Sequence, residues 1–128
     1  MSLRARLGLT LLGLLVCTSA IRGIRSTLTA QSPAPERSFK ISAKRYSFSP
    51  RRIDVTEGDV VRIELRTEDI AHSLTIDEYR ISKRVDAGMS VVLEFRAERA
   101  GSFPFYCNLQ IDDGCRRMRG ELVVRPRP

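Results

Sequence analysis

The segment Val60–Thr67 leaves this chain little choice of fold. Val61, Ile63 and Leu65 alternate with Arg62, Glu64 and Arg66. A period of two puts the apolar groups on one face of an extended strand and the charges on the other. The same alternation recurs from residue 39 to residue 124. Phe39, Ile41 and Ala43 follow it, and after a one-residue slip at Lys44-Arg45, which predicts a bulge, Tyr46 and Phe48 resume it. Ile53-Asp54-Val55 is a short strand. His72, Leu74 and Ile76 share one face of the next, as do Val91, Leu93 and Phe95, then Phe103, Phe105 and Cys107, and finally Leu122 and Val124. Ser49-Pro50, Glu57-Gly58-Asp59, Asp86-Ala87-Gly88 and Ala100-Gly101-Ser102 separate these runs as turns, and Asp112-Asp113-Gly114 also reads most simply as a turn. Asp77–Val85 fits no single period and reads as a crossover or an irregular turn. Beyond residue 20 no stretch sustains a helical period. About seven short strands with a turn every 8–12 residues predict an all-β fold, a Greek-key antiparallel β-sandwich. The chain has no Trp, so the core has to be built from aliphatic residues and five Phe.

The first 20 residues are of another kind. Arg4 and Arg6 precede the apolar run Leu7–Val16, and Thr18-Ser19-Ala20 supplies small residues. This is the pattern of a secretory signal peptide over residues 1–20, cleaved after Ala20. Even extended to Ile21, the apolar run is about 15 residues, short of the roughly 20 of a membrane-spanning helix, so an uncleaved anchor is the second reading. Val16 stands before Cys17 where lipidation calls for a small residue, and no adjacent arginine pair marks export of a prefolded protein. The expectation is an exported, periplasmic or otherwise extracytoplasmic protein that acquires any metal outside the cytoplasm. Residues 21–37, rich in Ser, Thr, Ala, Gln and Pro, read as a flexible linker, and residues 38–126 as the folded domain. Removing the leader takes two arginines and no acid, which lowers the formal charge from +7 to +5. The remaining charges are interspersed as on a solvated surface. No motif points to nucleic acid, and contact with a membrane is expected only if the leader is retained.

The chemistry gathers in Phe103–Val124. Cys107, Cys115 and Met118 lie in one loop between two strands, and His72, the only histidine, stands far away in sequence. Two cysteines in an exported domain form a disulfide by default. An enzyme is not expected: there is one histidine, no serine–histidine–acid arrangement and no glycine-rich phosphate loop. Glu68 and Asp69 beside His72 read as loop charges.

Residues 39–125 resemble a cupredoxin, the copper-binding Greek-key sandwich. The resemblance rests on five blocks in the family's order and spacing: Phe48-Ser49-Pro50; Ile53-Asp54-Val55 followed by Glu57-Gly58-Asp59-Val60-Val61; His72-Ser73; Phe105-Tyr106-Cys107; and Met118-Arg119-Gly120-Glu121-Leu122-Val123-Val124. It implies a copper site in which His72, Cys107 and Met118 hold the first, second and fourth ligand positions. The third, a histidine in the family, is Cys115 here. The loop is also similar to the binuclear copper loop of cytochrome oxidase subunit II, but Ile111 stands where that loop has a further cysteine, which argues for a mononuclear site. Two thiolates make the site softer than blue copper and favour Cu(I) or Zn(II) over Cu(II), which can oxidise two thiolates to a disulfide. The resemblance therefore implies electron transfer or copper handling, with a respiratory-chain redox partner or a copper-handling protein as partner. Two alternatives stay open. One is a metal-free interaction module closed by a Cys107–Cys115 disulfide. The other is a redox switch that binds Cu(I) as a dithiol and releases it as a disulfide.

Overall fold

The computed structural model describes residues 32–128. The expected leader, and the expected linker as far as residue 31, lie outside the described residues. Among the described residues no helix is long and apolar enough to cross a membrane.

Among the described residues nine strands form two sheets. One is ordered β2 (Ser47–Ser49), β1 (Glu36–Lys44), β4 (Val60–Thr67), β7 (Ser90–Arg96). The other is ordered β3 (Arg52–Thr56), β9 (Arg119–Arg125), β8 (Gly101–Tyr106), β5 (His72–Ile76), β6 (Ile81–Val85). The expected β-sandwich is present, with one parallel pair in each sheet: β1 with β4, and β3 with β9. Between β1 and β4 the chain crosses to the other sheet to make β3 and returns, so β1 and β4 run the same way. The core lies between the sheets. Ile41, Phe48, Val61, Ile63, Leu65 and Leu93 meet Ile53, Leu74, Ile76, Phe105 and Leu122, all essentially without solvent contact. Burying side chains of this size contributes roughly 1.5–3 kcal/mol each before the entropy of ordering is set against it. Phe48 and Phe105 meet edge to face with ring centroids 5.3 Å apart.

Three local expectations change. The slip at Lys44-Arg45 is a hairpin and not a bulge: β1 ends at Lys44 and β2 folds back, pairing Ala43 with Phe48 and Lys44 with Ser47. Directly opposed residues share a face, so Ala43 and Phe48 both enter the core. Asp77–Val85 resolves into a single 3-10 turn, Asp77–Tyr79, ended by Arg80 in the left-handed region (φ 53°), and then the edge strand β6. Finally, Asp112-Asp113-Gly114 is not a simple turn but the start of a one-turn helix, α1 (Asp113–Arg117).

The turn leading into β4 is fastened by a buried carboxylate. Asp59, 1% exposed, accepts the Thr56 amide at 2.9 Å and Arg127 Nη2 at 2.9 Å, and pairs with Arg37 Nε at 3.4 Å. Its backbone carbonyl takes the Ala97 amide at 2.9 Å.

Candidate metal centre

Beyond the far end of β4 the sequence-predicted residues arrive from separate elements. His72 opens β5, Cys107 follows β8, Cys115 lies in α1, and Met118 stands between α1 and β9. His72, Cys115 and Met118 are fully buried, and Cys107 is 2% exposed. The loop closes on itself for local reasons. The Asp112 side chain caps α1 by accepting the Cys115 amide at 2.8 Å, satisfying a donor that the first helical turn leaves free. The Met118 amide donates to the Cys115 carbonyl at 3.1 Å, and the Cys107 amide to the Met118 carbonyl at 3.4 Å. Gly114 is required here, because a Cβ at that position would overlap the Tyr46 ring that covers the helix.

Cys107 and Cys115 are joined as a disulfide, with their Cα atoms 5.2 Å apart. Closing this short loop stabilises the fold by about 2.5 kcal/mol in the chain-entropy treatment. The disulfide also touches the strand that carries the histidine. The Ser73 amide donates to Cys107 Sγ at 3.4 Å, and Ser73 Oγ lies 3.7 Å from it. Asn108 holds Ser73 in turn, its amide donating to Ser73 Oγ at 2.8 Å while its Oδ1 accepts from that hydroxyl at 2.7 Å.

The two nitrogens of His72 have different surroundings. Nε2 lies 2.9 Å from Asp69 Oδ1. Nδ1 has no contact with water and no hydrogen-bond partner. A buried polar group left in this way costs on the order of 1–3 kcal/mol. Asp69 also accepts the Arg45 amide at 2.8 Å and the Ile70 amide at 2.7 Å. Burial pushes its carboxyl up, but these two amides and then His72 outweigh burial and hold it down at about 2, from an ordinary 3.8.

Above the disulfide is an open hollow of about 380 Å³ lined by Tyr106, Cys107, Asn108, Gln110, Arg116 and Arg119. Arg119 lies over the Tyr106 ring, 4.8 Å from its centroid. A larger hollow of about 520 Å³, between Glu36–Phe39 and Asp54–Thr56, contains neither sulfur nor histidine.

The family model for the cupredoxin-like domain matches residues 10–124. The chain belongs to the cupredoxin-like family. The resemblance read from the five sequence blocks therefore holds, and so does the fold class. No curated protein matches this cupredoxin by sequence. Several solved structures share its fold. The periplasmic domain of cytochrome oxidase subunit II of Bradyrhizobium japonicum superposes with a TM-score of 0.64 at 15% identity, over 75% of this chain and 88% of that one. The metal-binding domain of the Cu(I)-exporting ATPase of Streptococcus pneumoniae gives 0.60 at 15%, over 73% and 90%. The copper-containing nitrite reductase of Thermus scotoductus gives 0.61 at 24%, over 73% of this chain. The chain spans 28% of that reductase, and 40% of a multicopper oxidase with a TM-score of 0.61.

Whether this cupredoxin's residues suit copper depends on the two sulfurs. With the disulfide formed, the described residues hold no group of three His, Cys, Asp or Glu side chains placed for a metal ion. Opened, the same positions offer two thiolates, the Met118 thioether and the unpartnered His72 Nδ1, a soft set suited to Cu(I).

Reading by residue type and family spacing pointed to His72, Cys107, Cys115 and Met118, and the backbone bonds and the disulfide bring the last three together. It missed Asp69, Ser73 and Asn108. The available signals were their places: Asp69 three residues before the histidine, Ser73 directly after it, and Asn108 directly after the cysteine.

Proposed function

We propose that this chain is an exported, non-catalytic cupredoxin that handles copper, holding one Cu(I) when Cys107 and Cys115 are reduced. The observation that carries this reading is His72 Nδ1, buried without a partner on the residue preceding Ser73, whose amide touches Cys107 Sγ. A histidine kept only for packing would have no reason to bear that cost. His72, Cys107, Cys115 and Met118 are the ligands, and the metal would supply soft thiolate-bound Cu(I) chemistry. Opening the site takes two electrons and two protons: an external dithiol reduces the Cys107–Cys115 bond and leaves as its own disulfide. Handling is favoured over electron transfer because two thiolates disfavour Cu(II). The partner class is accordingly a copper donor or acceptor, such as one that serves a respiratory chain.

The disulfide itself favours a second reading, a metal-free interaction module. One titration separates the two. The exported form, without the leader and so without Cys17, is assayed for free thiols as isolated, then fully reduced without oxygen and titrated with Cu(I) against a chromophoric chelator. We expect no free thiol and no copper uptake before reduction, and one Cu(I) per chain afterwards. A reduced protein that binds no Cu(I) establishes the metal-free module.

A further inference from the structure

We infer that Asp69 is a positioning residue that fixes the tautomer of His72, keeping the ring proton on Nε2 and the lone pair on Nδ1. The inference rests on the copper reading above and gives it a mechanism for presenting the imidazole. A neutral imidazole carries one proton, and its site is set by the partner of the nitrogen that bears it. Asp69 can only accept at this position. Its Oδ2 receives the Arg45 amide at 2.8 Å, and its Oδ1 receives the Ile70 amide at 2.7 Å and faces Nε2 at 2.9 Å. Two backbone donors, one on each oxygen, hold the carboxylate in place and leave Nε2 no role but donor. The lone pair then falls to Nδ1, the ring nitrogen without a partner. The Arg45 amide belongs to the β1–β2 hairpin, so the hairpin that replaced the expected bulge takes part in orienting the ring. A carboxylate on the outer nitrogen also makes the inner one a better donor, and loss of such a partner typically lowers metal affinity by about 10–100-fold.

His72 is the only histidine, so nitrogen-15 NMR of the ring reads its tautomer without assignment ambiguity and without metal. In the oxidised full chain we expect a single tautomer with the proton on Nε2. Asp69→Asn cannot serve both amides with its one oxygen. Turned with its NH2 toward the ring, it requires the proton to move to Nδ1. We expect a shift of population toward that form, and about a 10–100-fold weaker Cu(I) affinity in the reduced variant. A wild-type proton on Nδ1, or an Asp69→Asn protein unchanged in both tautomer and affinity, overturns the inference. The wild-type tautomer decides the point even if the variant fails to fold. Failure of reduced wild-type protein to bind Cu(I) would instead remove the copper reading and leave the tautomer result standing.

Discussion

Asp59 and His72 are both buried polar side chains, one just before β4 and the other shortly after it, yet they are treated oppositely. Each oxygen of Asp59 has a partner, drawn from the Thr56 amide, Arg37 and Arg127. His72 has one nitrogen satisfied and the other bare. Polar groups buried for architecture are saturated, because an unsatisfied one costs stability. Among the described residues Tyr79 Oη is bare as well, but its ring lies against Phe95 and Phe103. A bare nitrogen on the residue next to one bonded to a cysteine sulfur marks a place where stability has been given up for something else. The end of the sandwich that holds Asp59 therefore reads as scaffold, and the sulfur-rich end as the site.

The largest effect that separates the two is on folding. Asp59→Ala strands the Thr56 amide and frees two arginines, and should destabilise the domain by about 2 kcal/mol. His72→Leu loses one hydrogen bond but relieves the bare nitrogen, and should change stability by less than about 1 kcal/mol. Urea unfolding of both variants in the disulfide form reads the difference. Equal losses would mean that His72 is as structural as Asp59, and the contrast would collapse.

What could be read from the sequence divides along the same line. Alternation identified the strands because burial acts on every second residue: Val61, Ile63 and Leu65 are inside and Arg62 is exposed. It failed where burial came from other sources. All five residues of β5 are buried, because Ser73 and Thr75 on the second face bond to Asn108 and Ser82. The hairpin at Arg45 looked like a bulge, because a tight turn and an inserted residue both shift the alternation by one. The four ligand candidates were legible from residue type and family spacing. Asp69 was not, since its role depends on the Arg45 amide, 24 positions away. The choice between disulfide and thiolates was also beyond the sequence, because both need the same two cysteines close together.

A smaller effect sharpens the contrast through pH. The Asp69 carboxyl is held at about 2, below its ordinary 3.8. A depressed carboxyl contributes stability that is complete above its unfolded value and is lost as pH falls through its folded one. The wild-type urea midpoint should therefore drop between about pH 4 and pH 2, with part of the drop missing in Asp69→Asn. Matching profiles for the two proteins would show that Asp69 is not held by the bonds assigned to it.

The copper reading proposes one ion among His72, Cys107, Cys115 and Met118 once the disulfide is opened. X-ray absorption at the copper edge of the reduced, Cu(I)-loaded protein tests it most directly. A single copper with a sulfur shell and one imidazole nitrogen is expected, the nitrogen absent in His72→Leu. A shell without sulfur, or a nitrogen that survives His72→Leu, would contradict it.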